Sequence, residues 1–422
     1  MQLAFIYAIV LVGKGVPGSK DTECCTVERI DQINNSSTSL LVMSVSEWRE
    51  EFPAITDAKR IPLNNCSASP IPRRGIDARA ECERVWIESG NPWPTWLAAV
   101  EAAKEQFAEL IKASPDEIAV VSSATDALAR FASGLSYDDR SDIIVSDLEF
   151  PTVPQFWYAQ QKRGARLQIA ESSDGIRVPV SAYDKEISDE TLLVCTSHVC
   201  SFTGGLQDVE RIADLVHDAG GYLFLDAYQS MGTVPIDVKQ QNIDALVSGT
   251  LKFLLGGPGI AFLYVTEDLA RTLEPTNMGW FGVDDIFGFE TESPTFAPNT
   301  RRFELGTPPA TVAYQANAGM ELIAEIGVDQ IRERTCEHTQ TLIEGATDRG
   351  FDVRTPKKAR QRGSIVNVQA KNPEKAVEAM IDRGINVSSR AGGIRLSPHY
   401  FNTTEDLLKS LEAIEDVAQP TA

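Results

Sequence analysis

The stretch VSGTLKFLLGGPGIAFLYV, residues 247–265, begins and ends as apolar strand, and its middle holds one lysine, Lys252, ahead of a glycine-rich turn. A lysine set between two buried strands is rare unless it is paired or used chemically. The glycines do not make a phosphate loop. A P-loop needs GxxxxGK[ST] followed by a helix, and a dinucleotide fingerprint needs GxGxxG opening one. Here the glycines lead into the strand IAFLYV (260–265). The lysine is then the reactive group, and the glycines form a turn that fits beside a flat ligand.

Around this stretch the chain alternates short β-rich runs with amphipathic segments. The runs are 118–123, 142–147, 166–170, 191–197, 222–227, 245–250 and 260–265. A helical period fills most of the intervals, as in QDVERIADLVHDAGG (207–221), which its glycines stop. Strands apolar on both faces and separated by helices predict an α/β fold, a mostly parallel sheet covered by helices on both faces. Residues 317–350 read as one or two long helices, and the tail as a smaller α+β C-terminal domain. The predicted organisation is an extension over 1–42, a segment over 43–62 packing with the small domain, a large domain over 63–310 and the small domain over 311–422.

Composition narrows the partners. Apolar residues make up 43% and charged residues 23% of the 422, as in a soluble globular chain. Lys+Arg 39 against Asp+Glu 60 leaves a formal charge of −21, which argues against nucleic acid and against an anionic membrane surface. An excess of this size fits a high-salt cytoplasm. The seven cysteines form no CxxC pair and no zinc-spaced cluster, so the chain reads as reduced and cytoplasmic. The apolar run LAFIYAIVLV (3–12) is too short to span a bilayer and lacks a basic segment before it. Met43 opens MSVSEWREEFPAI like an ordinary cytosolic start, so residues 1–42 read as a non-native or disordered extension.

In an open α/β sheet the ligand lies at the carboxyl ends of the strands. Those ends carry Ser122–Thr125, Glu149-Phe150, Ser197-His198, Asp226 and Ser248–Lys252. This set matches the needs of pyridoxal 5′-phosphate. Its aldehyde requires an amine, and its ring nitrogen a carboxylate that keeps it protonated. Its ring requires a flat neighbour, and its phosphate hydroxyls and amides at a helix N-terminus. Lys252, Asp226, Phe150 and Thr125 supply these in turn.

With these residues in order, the chain resembles the class V aminotransferase family of fold type I pyridoxal-phosphate enzymes, which includes cysteine desulfurases, kynureninases and isopenicillin-N-epimerase-like proteins. The resemblance runs from about Leu63 to about Leu411. It is carried by LNNCSASP (63–70), SSATDALA (122–129), DLEFPTV (147–153), TSHVCSFTGGLQDV (196–209), FLDAYQSMGTVPIDV (224–238), SGTLKFLLGGPG (248–259), RRFELGTPP (301–309) and IRLSPHYFNT (394–403). It implies that Lys252 forms the Schiff base and shuttles the Cα proton, that Asp226 pairs with the ring nitrogen, and that Gln229 bonds the ring hydroxyl. It further implies Phe150 stacked on the ring, and Ala124 and Thr125 at the phosphate with either Ser248 or Thr250. Thr307 would reach the phosphate of a neighbouring subunit, making a homodimer. Arg395 would clamp the carboxylate of an amino-acid substrate, with Ser201 where relatives have an asparagine.

Departures from the family pattern narrow the reaction. Desulfurases carry a nucleophilic cysteine between the tail strands; here that interval reads INVSSRAGG (385–393) and holds none. The segment MGWFGVDD (278–285) lacks the histidine that follows the Gly-Trp of kynureninases. The expected reaction is lyase-type, at Cβ, ahead of amino transfer and then epimerisation. A non-catalytic pyridoxal-phosphate-binding partner protein is the contrasting class. Cys200 reads as a filler, His198 as a strand-end histidine, and Trp86, Trp93 and Trp96 as anchors of a helix start.

Overall fold

The computed structural model describes residues 44–421. The apolar run at 3–12 and the Met43 start lie outside the described residues. Twelve strands are found among the described residues: β1 (Ile61–Pro62), β2 (Ile118–Val121), β3 (Asp142–Ser146), β4 (Arg166–Ala170), β5 (Thr191–Ser197), β6 (Tyr222–Asp226), β7 (Ala245–Gly249), β8 (Ala261–Val265), β9 (Val366–Gln369), β10 (Ile385–Asn386), β11 (Ser388–Arg390) and β12 (Gly393–Leu396).

The strands β2 to β8 are the seven runs read from the sequence. They form one sheet in the order β2-β8-β7-β6-β5-β3-β4. Pairing is parallel from β4 to β7, and β8 runs antiparallel to both neighbours. A reversed β8 follows from its connection: the eleven residues between Gly249 and Ala261 hold no helix that could return the chain to the start of a parallel strand.

Both faces of this sheet are buried, and the alternation of the strands sorts the core into two halves. Ile144, Val194, Leu225, Leu246 and Phe262 pack on one side with Phe107 and Ile323. Val145, Cys195, Phe224, Val247 and Leu263 pack on the other with Leu128 and Trp157. A third cluster, with Leu342, Val368, Ile394 and Leu411, is the core of the C-terminal region, where β9 and β11 flank β12.

The long helical stretch is two helices, Ala310–Ile326 and Val328–Asp348, separated by Gly327 at φ +88°. The first packs against the turn after Lys252 with no room to spare: a Cβ on Gly319 would lie 2.5 Å from the Leu254 carbonyl oxygen. In the same turn Leu255 adopts φ +60° and donates its amide to the Lys252 carbonyl at 3.0 Å. A buried leucine in the left-handed region is unfavourable by itself and persists because its surroundings hold it there.

At the N-terminal end of the described chain, β1 pairs in parallel with β10, while Trp48 and Phe52 pack on Tyr400 and Phe401. The tail segment FDVRT contributes only a single bridge, Val353 to Val368, rather than a strand. Trp93 begins the helix Trp93–Ile111, and Trp86 and Trp93 both meet Trp96 edge-on. No helix among the described residues is long and apolar enough to cross a membrane.

Candidate active site

A cavity of about 240 Å³ opens at the carboxyl ends of β5, β6 and β7. Strand parity decides which side chains reach it. Ser197, Asp226 and Val247 lie on the same faces of their strands as Cys195, Phe224 and Ala245, the side that carries the helix Ala124–Ser133. Ser248 faces the other way. Its hydroxyl donates to the Gly249 carbonyl at 3.0 Å, and that of Thr250 donates to the Gly257 carbonyl at 2.9 Å, both side chains being fully buried. Neither lines the cavity.

Lys252, Asp226, Ala124, Thr125, Phe150, Gln229 and Ser201 do line it. The helix beginning at Ala124 is capped by Ser123, whose hydroxyl accepts the Asp126 amide at 3.1 Å. Its first amides, at Ala124 and Thr125, have no carbonyl one turn earlier to bond and face an anion-binding position. Gln229 donates its amide nitrogen to the Cys66 carbonyl at 3.0 Å, leaving its buried Oε1 without a partner in the cavity wall. An orphaned acceptor there suits a hydroxyl donor.

Asp226 accepts the Tyr228 amide at 2.9 Å through one carboxylate oxygen. Burial raises its pKa against the opposing pull of that amide and of Lys252. Burial lowers the pKa of Lys252, with Asp226 and Cys66 opposing and Arg395 assisting. Both shifts have one cause: each charge loses water without gaining an ion-pair partner. The lysine nitrogen lies 5.7 Å from the ring centroid of Phe150 and 4.1 Å from that of Tyr228.

Beneath the cavity, Glu149 turns inward. Its carboxylate accepts from Ser146 Oγ at 2.6 Å, Thr196 Oγ1 at 2.8 Å, the Ser197 amide at 2.8 Å and the Ser197 hydroxyl. It thereby ties the ends of β3 and β5 together and fixes Ser197 in the wall. Burial raises its pKa.

Arg395 lies just behind the wall. Its Nη1 donates to the Ser201 carbonyl at 2.6 Å, Nη2 to Ser67 Oγ at 2.8 Å and Nε to Ser388 Oγ at 3.2 Å. Every acceptor is neutral, the residue is 4% exposed, and burial lowers its pKa. Ser201 Oγ is itself buried without a partner.

Thr307 is exposed and does not line this cavity. Cys200 is buried outside it, with Sγ 3.6 Å from the Leu148 carbonyl, and burial raises its pKa. His198 bonds Ser230 at 3.0 Å, and burial pushes its pKa down to about 3, so it stays neutral. Tyr228 is a wall residue that sequence reasoning missed. Its place two residues after Asp226 puts it near the site, but no local pattern in the sequence says which way its ring turns.

Comparison with known proteins gives this cavity its chemistry. The family model described as aminotransferase class-V matches residues 94–407. The chain belongs to the class-V aminotransferase family. Among its relatives, an uncharacterized aminotransferase of Bacillus subtilis is 34% identical over 375 residues, covering 89% of this chain and 98% of that protein. A kynureninase of Pseudomonas fluorescens is 26% identical over 362 residues, covering 81% and 84% of the two chains. The solved apo cysteine desulfurase of Thermococcus onnurineus NA1 shares the fold, with a TM-score of 0.80 at 24% identity over 89% of this chain and 98% of that one.

Class-V aminotransferases are pyridoxal-phosphate enzymes, and this chain is one of them. The residues present fit that cofactor: the orphaned Gln229 oxygen, the free first amides of the capped helix, the carboxylate of Asp226 and the unpaired amine of Lys252 all converge on the cavity.

Proposed function

We propose that the enzyme acts on an α-amino acid and breaks the bond to a substituent on Cβ. Lys252 would hold the cofactor, Asp226 its ring nitrogen, Gln229 its ring hydroxyl, Phe150 one face of its ring, and Ala124 and Thr125 its phosphate. When bound, pyridoxal phosphate supplies an electron sink that makes the Cα proton of an amino acid removable. The lowered pKa of Lys252 favours a neutral amine that can take this proton. The observation that carries the amino-acid reading is Arg395: a buried guanidinium with only neutral oxygens around it is short of an anion, and its planar fork suits a carboxylate.

Two features support cleavage at Cβ without a thiol nucleophile. Among the described residues no cysteine lines the cavity, and between β11 and β12 the chain makes a two-residue hairpin, Ala391-Gly392, where desulfurases carry their reactive cysteine on a loop. A structural neighbour at TM-score 0.80 is named a cystine C–S lyase. Amino transfer is the second reading, favoured by the name of the relative at 34% identity.

A homodimer completes the proposal. Trp280, Phe287 and Phe289 are exposed around a cleft of about 420 Å³, on the segment leading to the exposed Thr307. Such an aromatic surface is of the kind that a second subunit covers.

The test is a panel of amino acids scanned for ammonia, sulfide, alanine and 2-oxo acids. A 2-oxo acid formed with equimolar ammonia, and no need for an amino acceptor, supports the lyase reading. Turnover that requires an added 2-oxo acid overturns it in favour of amino transfer. Loss of optical activity without net product overturns both.

A further inference from the structure

Two aromatic rings flank the amine of Lys252, and the closer one is Tyr228. Its position is fixed at both ends. The backbone amide is held by Asp226 Oδ1 at 2.9 Å. At the other end the phenol abuts Gly249, where an added Cβ would lie 2.5 Å from both Oη and Cζ. The hydroxyl is therefore turned to the backbone at the end of β7, and what Lys252 meets is the ring face, with Nζ 4.1 Å from the centroid.

We propose that Tyr228 is a positioning residue whose ring face holds the ammonium of Lys252 in the interval when the lysine carries the proton taken from the substrate. This rests on the reading of Lys252 as the reacting amine.

The electrostatics of the neighbourhood leave this task open. Asp226 at the end of β6 favours the ammonium, Cys66 in the segment after β1 favours it when ionised, and Arg395 on β12 opposes it. Among the described residues Lys252 has no ion-pair partner, and in the loaded enzyme the charge of Asp226 is directed to the cofactor ring. An aromatic face within about 6 Å attracts an ammonium through its quadrupole, the more strongly the drier the site. Tyr228 meets that distance, and burial raises its phenol pKa to about 12, so the ring stays neutral. A face offers attraction without a fixed partner atom, so the amine stays free to swing back to the cofactor.

The test uses the full chain as wild type, Tyr228→Phe, Tyr228→Leu and Gly249→Ala. In protein stripped of cofactor, the pH dependence of Lys252 acetylation by acetic anhydride is read by mass spectrometry of its peptide. Tyr228→Leu is expected to lower the Lys252 midpoint by about 0.4 to 1.5 pH units, the range that loss of a cation–π contact spans. Tyr228→Phe, which keeps the face and loses the hydroxyl, is expected to restore the wild-type midpoint to within about 0.3 unit, well inside that range. Gly249→Ala keeps Tyr228 but displaces its ring, and is expected to shift the midpoint in the same direction as Leu. It decides the matter if the Leu variant does not fold. In the loaded enzyme the acid limb of the kcat profile moves with the same sign. An unshifted midpoint in Leu and Ala overturns the proposal, as does a Phe variant that shifts as far as Leu. Borohydride reduction of the loaded wild type tests the underlying reading separately: attachment of the cofactor away from Lys252 refutes that reading whatever the midpoints show.

Discussion

Replacing Arg395 tests the substrate class rather than the cofactor. The guanidinium is buried and engages Ser201, Ser67 and Ser388 at 2.6, 2.8 and 3.2 Å. In Arg395→Ala two opposing contributions act on the fold. Three hydrogen bonds disappear, but so does a desolvated cation with no counterion. The change in melting temperature should accordingly be small beside the kinetic effect. A substrate carboxylate, by contrast, loses a bidentate charge-assisted contact in a dry site, which costs about 2–4 kcal/mol. At about 1.4 kcal/mol per decade this is a roughly 30- to 1000-fold fall in kcat/KM. Arg395→Lys should also fall, because a point charge cannot replace the fork. The assay compares kcat/KM for the preferred amino acid with that for the amine lacking its carboxylate. Wild type should prefer the acid strongly, and the alanine variant should lose most of that preference while keeping its cofactor absorbance. A variant within about threefold of wild type on the acid, with selectivity intact, would refute the clamp.

Asp226→Asn should retain cofactor yet lose several orders of magnitude in turnover, because a neutral amide cannot keep the ring nitrogen protonated; near wild-type rates would make Asp226 purely structural. Gly319→Ala should destabilise the fold by about 1–3 kcal/mol, since its Cβ would meet the Leu254 carbonyl at 2.5 Å and the backbone there cannot yield; an unchanged denaturation midpoint would show that the helix shifts freely. His217 bonds Asp244 at 2.7 Å, which raises its pKa above 6.5. That stability is full below pH 6.5 and declines as pH rises through the folded-state value. The side chain is one-third exposed, so the effect stays below about 1 kcal/mol, and His217→Gln should flatten the slope of melting temperature above pH 6.5.

How far the site could be read from sequence depended on which physical rule governed each residue. The seven strands of the large sheet were legible because buried strands are short apolar runs and the helices between them have a different period. Asp226 and Lys252 were legible because a charge at the end of such a run is anomalous. Which face Ser248 takes was not legible, because side chains alternate across a strand and proximity to Lys252 along the chain does not say which side a hydroxyl turns to. Tyr228 escaped notice because its place beside Lys252 depends on the absence of a side chain at Gly249, twenty-one residues later on a neighbouring strand. Tertiary vacancies of this kind leave no local pattern.

The hairpin at Ala391-Gly392 bears on how such an enzyme can change its trade. Ala391 and Gly392 both take positive φ, at +48° and +76°, and the strands they join end within two residues of each other. β11 and β12 belong to the C-terminal sheet, whereas the groups that converge on the cavity end the strands of the large one. The tip of the hairpin can therefore be lengthened without disturbing the register of Arg395 with Ser388, or the strand ends that carry Asp226 and Lys252. On the proposed reading, cofactor handling is rooted in a packed sheet and reaction choice in the length of a surface turn, which makes the two separable heritable units. A lineage could acquire or discard a nucleophile through a short insertion or deletion, with no compensating change in the core.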